Sequence, residues 1–257
     1  MYSEFNGRTV LVTGGSRGIG AATAAAFAAE GAHVWVVGRD RQALDDTVAG
    51  IEKDGGTAFA AVADVTSLSA LEAVRDQVGP VDVLAAFAGG GIARPGPTAA
   101  MTEQEWHTVV DGNLTATFLT LKTFLPAMQE RRSGSIITMA STAGRQPSNL
   151  PGPWPHQWGA PVAYAAAKAG IIMLTQHVAV EVGRDNVRVN CVSPSTIRVE
   201  RMAQIPLEVQ EKIAATHPLA RLGEPSDVAT TSLFLASDGA AWLTGLTIDI
   251  AGGRITN

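Results

Sequence analysis

Tyr164 and Lys168 are the residues whose types and spacing most directly suggest chemistry. They sit four positions apart in an apolar, helix-patterned stretch that continues through Ile171, Ile172 and Leu174. Residues so spaced lie one turn apart on the same helix face. An ammonium beside a phenol favours phenolate, so Lys168 is expected to pull the tyrosine pKa down from its free value of about 10. The pair could then donate a proton to a carbonyl oxygen or remove one from an alcohol. The same spacing arises wherever a Tyr and a Lys merely share a helix face, so the pair needs support from the rest of the chain.

A second cluster supplies it. Gly14-Gly15-Ser16-Arg17-Gly18-Ile19-Gly20 follows the apolar run at 9–13 and precedes an alanine-rich helical stretch. Glycines there permit a tight turn and close backbone approach, and the helix N-terminus offers free N–H groups to a phosphate. This is the setting in which a dinucleotide pyrophosphate binds, although the glycine spacing differs from G-x-G-x-x-G. The next apolar run ends Val37-Gly38-Arg39-Asp40. Gly38 offers no carboxylate to a ribose diol, whereas Arg39, with Arg17 from the turn, suits a 2′-phosphate. The pair favours NADP(H) over NAD(H). Asp40 could instead cap the following helix.

The elements that must position these residues alternate regularly. Short apolar, β-branched runs at 9–13, 33–37, 57–62, 81–87, 135–140, 187–192 and 245–250 read as strands. Helical patterns over 40–53, 67–78 (with Ser67 as N-cap), 102–131 and from Tyr164 onward separate them. Strands that are apolar on both faces, alternating with helices, predict a doubly wound parallel α/β sheet with right-handed crossovers. No linker or repeat divides the chain, so 1–257 reads as one domain. Residues 145–162 hold five prolines with Trp154 and Trp158 and read as a long loop. Residues 198–217 are mixed, helical in part, and expected over or beside the site.

Composition excludes several classes. With 46% apolar residues, 257 positions can bury a sizeable core. A net charge of -5 without a basic block argues against nucleic acid and against an anionic membrane surface. Cys191 is the lone cysteine, so neither an internal disulfide nor a cysteine-based metal site is possible. The N-terminus lacks a secretory pattern, and no uncharged apolar run reaches membrane-spanning length. A soluble, cytoplasmic protein is expected.

Thr13-Gly14-x-x-x-Gly18-x-Gly20, Asp64-Val65, Ala88-Gly89, Asn113, Ser141, Tyr164-x-x-x-Lys168, Asn190 and Pro194 occur together in this order. The chain thereby resembles the short-chain dehydrogenase/reductase family, including its 3-oxoacyl-reductase-like members, across essentially its whole length. The resemblance implies a Rossmann-like, seven-stranded sheet with helices on both faces. It implies a catalytic set of Asn113, Ser141, Tyr164 and Lys168. Tyr164 would exchange a proton with the substrate oxygen, and Ser141 would hydrogen-bond that oxygen. Lys168 would lower the tyrosine pKa and hold the nicotinamide ribose, while Asn113 would hold a water in a relay through Lys168. Asp64 and Val65 resemble the pair that faces adenine. Ala88, Gly89, Pro194 and Ile197, with Gly14, Ser16, Arg17, Gly18, Ile19, Gly20 and Arg39, complete the implied cofactor set. A homotetramer packed through the long helices is implied as well.

Some positions depart from the family. Ala86-Phe87 replaces a usual Asn pair, Ser195 the usual Gly, and Val199 the usual Thr near the carboxamide. Ala251 precedes Gly252-Gly253 in place of Asp. Ser141 and Tyr164 are also widely separated, and the intervening loop places Trp154, His156 and Trp158 beside the expected substrate site. They would line a pocket for an apolar or aromatic substrate, or pack down on the domain or a neighbouring subunit. His156 has no partner that would make a metal site. The expected function is an NADP(H)-dependent interconversion of a carbonyl and a secondary alcohol, a 3-oxoacyl-thioester reductase being one version. A non-catalytic dinucleotide sensor would be expected to lose Ser141, Tyr164 or Lys168. A methyltransferase would want a carboxylate near position 38.

Overall fold

The computed structural model describes residues 2–90, 96–147 and 160–255. Seven parallel strands form one sheet in the order β3-β2-β1-β4-β5-β6-β7. They are β1 (Thr9–Thr13), β2 (His33–Gly38), β3 (Thr57–Val62), β4 (Val83–Ala86), β5 (Gly134–Met139), β6 (Val187–Pro194) and β7 (Thr247–Ile250). The chain winds outward from β1 to β3, then returns and winds the other way from β4. The crevice beyond the carboxyl ends of β1 and β4 is therefore the topological switch point, where ligands bind in such sheets.

Strand alternation buries both faces. In β1, Val10 and Val12 face α1 (Gly18–Ala29) and α8 (Pro225–Ala236), where they meet Phe27, Val228 and Leu235. Leu11 points the other way, into a layer with Leu71 of α3 (Leu68–Val78), Phe124 and Met128 of α5 (Ala116–Arg131) and Val182 of α6 (Val162–Val182). Asp40 caps α2 (Arg41–Lys53) by accepting from the Ala43 N–H at 3.2 Å, and Ser67 caps α3 by accepting from Ala70.

Two features differ from the sequence reading, and the mixed segment 198–217 is helical in part as expected. The expected helix over 102–131 is α4 (Glu103–Val110) and α5 joined by a π-helical turn, Asp111–Thr115, which contains Asn113. Helix α8 was not anticipated, because its Ala, Thr and Ser residues blur the apolar period. Its start signal was nonetheless present: Pro225 at the first position and a reciprocal Glu224/Asp227 capping box. Residues 198–217 form a short 3₁₀ helix, Glu200–Gln204, followed by α7 (Leu207–Ala215). Among the described residues no helix is long and apolar enough to cross a membrane.

Candidate active site

Three elements deliver the expected proton-transfer residues to the carboxyl edge of the sheet. Ser141 follows β5, and Tyr164 and Lys168 occupy the first turns of α6. The Ser141 hydroxyl caps the next turn by accepting from the Ala143 N–H at 3.2 Å and reaches the Pro194 carbonyl at the end of β6 at 3.5 Å. It also shares a hydrogen bond with Tyr164. The Lys168 ammonium lies 5.4 Å from the Tyr164 ring centroid and donates to the Met139 carbonyl at 2.8 Å.

The electrostatics differ from expectation. Burial pushes the Tyr164 phenol above its ordinary pKa, outweighing the Ser141 hydrogen bond and the Arg201 charge that pull it down. Lys168 is not among the groups that lower it. Lys168 is itself only 3% exposed, and desolvation lowers its pKa to about 8. Without a further charge in the site, the phenol holds its proton at neutral pH.

Asn113 is fully buried and saturated by protein. Its amide donates to the Val109 carbonyl at 2.8 Å and the Gly90 carbonyl at 3.0 Å, and its oxygen accepts from the Gly90 N–H at 3.0 Å. A Cβ on Gly89 would stand 2.6 Å from that oxygen. The side chain therefore clamps the chain leaving β4 against the π turn. Its main-chain carbonyl accepts from the Thr117 hydroxyl at 2.8 Å. Thr13 makes a second tie, accepting from the N–H groups of Phe87 at 3.1 Å and Ala88 at 3.2 Å. Phe87 packs into the core with Ile137 and Val192, filling the space that the departure at 86–87 leaves.

The glycine turn fits a dinucleotide phosphate. A Cβ on Gly20 would lie 2.1 Å from the Gly14 carbonyl oxygen, so only glycine lets helix and turn approach this closely. No side chain caps α1, leaving its first N–H groups to an anion. Val199 closes on the turn from the opposite side, within 3.1 Å of a Cβ built on Gly18. A cavity of about 960 Å³ opens between the turn, α2 and residues 198–203.

Arg39 and Arg17 are both exposed at this end of the crevice. Arg17 pairs with Asp40 at 2.7 Å, so Asp40 acts as both helix cap and counter-ion. Asp64 accepts from the Thr66 N–H at 3.0 Å and hydroxyl at 2.7 Å. These bonds, and to a smaller extent the Arg39 charge, hold its carboxyl below the usual range. Arg17, Arg39, Asp40 and Asp64 thus meet around one corner, with Val65 buried behind them.

The structure also adds partners that the sequence did not reveal. Met139 and Pro194 act through main-chain carbonyls, which have no side-chain signature. Ser195 bonds to His217 Nε2 at 2.9 Å, tying the end of β6 to the turn after α7. Asn190 links β6 to the approach to β7 by donating to the Leu243 carbonyl at 2.9 Å and accepting from the Leu246 N–H at 3.1 Å. The Ile197 side chain is buried, and its segment bridges to Gly223. Trp154, His156 and Trp158 lie outside the described residues.

A family model described as enoyl-(acyl carrier protein) reductase matches residues 14–254. The chain belongs to the short-chain dehydrogenase/reductase family. Among curated members of this family, the (2S)-[(R)-hydroxy(phenyl)methyl]succinyl-CoA dehydrogenase subunit BbsD of Thauera aromatica is 33% identical over 251 residues, covering 96% of each chain. A crystal structure of 3-oxoacyl-[acyl-carrier protein] reductase from Brucella melitensis superposes with a TM-score of 0.91 at 33% identity, covering 99% of this chain and 94% of that one. A second structure from Brucella melitensis, of a 3-oxoacyl-[acyl-carrier protein] reductase with bound NAD, gives a TM-score of 0.89 at 33% identity, with the same coverage. This chain is accordingly a dinucleotide-dependent oxidoreductase acting on C=O or CH–OH groups.

Proposed function

We propose that this enzyme uses NADP(H) to interconvert a carbonyl and a secondary alcohol, with Tyr164 as the acid/base. The convergence of Ser141, Tyr164 and Lys168 at the carboxyl edge carries the reading. Tyr164, protonated at neutral pH, donates to the oxygen of a carbonyl substrate and regains the proton through solvent. Ser141, already hydrogen-bonded to Tyr164, supplies a second donor where negative charge grows on that oxygen. Lys168 stands one turn behind, where its ammonium would meet the nicotinamide ribose and support the phenolate left after transfer. Nicotinamide supplies hydride chemistry when bound. Asn113 fixes the floor of the site through Gly90, and any water it orders would be held by its main-chain carbonyl.

Gly14, Ser16, Gly18, Ile19 and Gly20 would hold the pyrophosphate, and Asp64, Val65, Ala88 and Gly89 the adenosine side. Pro194 and Ile197 would meet the carboxamide end through backbone groups, Val199 having no hydroxyl to offer. Arg39 favours the 2′-phosphate, with Arg17 able to exchange Asp40 for it. The 3-oxoacyl-reductase relatives support a 3-oxoacyl thioester as one substrate, while the acidic net charge offers no basic patch to an acidic carrier protein. Exposed Phe118 on α5 and Met173 and Val180 on α6 support assembly through these helices into a homotetramer.

A spectrophotometric screen of NADPH and NADH oxidation against ketones, aldehydes and 3-oxo thioesters tests the reading. Turnover of at least one carbonyl class, faster with NADPH, is expected. Equal rates with both cofactors would contradict the NADP(H) preference, and no turnover of any carbonyl would contradict the reaction.

A further inference from the structure

Ser195 stands directly after β6, at a position where the chain departs from its family, and the chemistry proposed for Tyr164 makes no use of its hydroxyl. Its partner is His217, in the turn after α7. The His217 Nδ1 lies 2.9 Å from the Ile213 carbonyl oxygen, and its Nε2 lies 2.9 Å from the Ser195 hydroxyl oxygen. A carbonyl oxygen can only accept, so the hydrogen of the neutral ring sits on Nδ1. Nε2 is then the acceptor, and the Ser195 hydroxyl donates to it. Burial lowers the His217 pKa, outweighing the Ile213 bond that raises it, so the ring is neutral at pH 7 and free to take a proton. A serine hydroxyl that donates to a neutral imidazole, with the far ring nitrogen fixed by an acceptor, is the arrangement that activates a nucleophile.

This pair faces a cavity of about 400 Å³, lined by Ser195 and His217 together with Leu219, Ile248, Ile250 and Gly252. The cavity shares no residue with the Ser141, Tyr164 and Lys168 set or with the glycine turn. Ser195 is half-buried and His217 is buried. Gly252 lies against the imidazole: a Cβ built on it would stand 3.5 Å from His217 Cβ and 3.6 Å from Cδ2, the ring carbon bonded to Nε2. Gly252 and Gly253 both take positive φ, 55° and 84°, and among the described residues nothing accepts from their N–H groups. Two free main-chain donors therefore adjoin the hydroxyl and its base, the kind of group that stabilises an oxyanion. Leu219, Ile248 and Ile250 give the cavity an apolar wall, and its volume suits a small ligand with a short acyl chain.

We propose that Ser195 and His217 form a second active centre that hydrolyses carboxylic esters of short acyl chains. Ser195 Oγ bonds to the ester carbonyl carbon as its proton passes to His217 Nε2. Negative charge on the former carbonyl oxygen falls to the Gly252 and Gly253 N–H groups. The C–O bond to the alcohol then breaks, and the alcohol leaves with the proton from Nε2. Water next gives a proton to Nε2 as its oxygen bonds to the acyl carbon. The bond to Ser195 Oγ breaks, the carboxylic acid departs, and the serine regains its proton from His217. Nothing is oxidised or reduced, so nicotinamide takes no part and the proposal does not depend on the role of Tyr164.

The test adds p-nitrophenyl acetate to the protein without cofactor. Wild type should release about one p-nitrophenolate per chain in a burst, followed by slower steady turnover. Peptide mass spectrometry of acid-quenched protein should place the acetyl group on Ser195. Ser195→Gly and His217→Gln should each lower turnover about 100-fold or more, with the melting temperature showing that each variant is folded. A readout on wild type alone covers the case in which either variant unfolds: phenylmethylsulfonyl fluoride should leave its sulfonyl group on Ser195 and abolish ester turnover. Acetyl or sulfonyl groups found only on other residues overturn the proposal. So does turnover by Ser195→Gly within a few-fold of wild type, which would make the pair a tie between β6 and the turn after α7. An acetyl-Ser195 that persists without turnover also overturns it, since the hydrolytic step is then missing.

Discussion

At the scale of single residues, the site depends on two groups whose pKa values burial moves in opposite directions, each toward its neutral form. Lys168, with a folded-state pKa of about 8 against an ordinary 10.5, binds fewer protons when folded than when unfolded between those values. Stability therefore rises with pH across that window, and the cost of the buried ammonium is fully present below pH 8. Relative to wild type, Lys168→Met should gain most thermal stability at pH 7 and lose that advantage as pH approaches 10.5, read as the difference in Tm between the two proteins. A difference that does not change with pH would place the charge elsewhere. Tyr164, with its pKa raised by burial, predicts that alcohol oxidation climbs with pH while carbonyl reduction falls, which paired pH–rate profiles would show. At the adenosine end, a Cβ on Gly38 would meet Leu44 and Ser16 at an ordinary 3.6 Å, so the missing carboxylate is not forced by space. Gly38→Asp should weaken NADPH and strengthen NADH, and Arg39→Ala should raise the Kd for NADPH about tenfold or more while barely changing that for NADH. Equal effects on both cofactors would remove the 2′-phosphate reading.

At the scale of elements, the seven strands were legible because each is a short, mostly apolar run bounded by helix or turn signals, and the shared helix face of Tyr164 and Lys168 was legible from spacing alone. The π turn was not. A π insertion keeps helical periodicity on either side, and Asn113 within it resembles any polar helix residue until its bonds to Gly90 and Val109 are seen. Nor could sequence show that burial would raise the Tyr164 pKa and lower that of Lys168, since that depends on what α6 packs against. Asn113→Ala leaves buried groups of Gly90 and Val109 unpaired and should cost about 2–4 kcal/mol, measured by denaturant unfolding. A loss below about 0.5 kcal/mol would mean the clamp is not structural.

At the scale of the whole molecule, the doubly wound sheet places the glycine turn, Ser141, Tyr164 and Lys168 along one carboxyl edge. Phe118, Met173 and Val180 leave apolar surface on α5 and α6, and Trp242, at 98% exposure, leaves more near β7. Light scattering coupled to size exclusion should give a mass four times that of the 26.6 kDa chain, and Val180→Glu should shift it downward. A monomeric wild type would contradict assembly through these helices. The proposed chemistry turns on Tyr164, and the most direct measurement is NADPH-dependent turnover of the best carbonyl substrate by Tyr164→Phe, with NADPH binding followed in parallel by fluorescence. An acid/base role for Tyr164 predicts a loss of about 10²–10⁴-fold in kcat with the Kd for NADPH within about threefold of wild type. Turnover within a few-fold of wild type would contradict it.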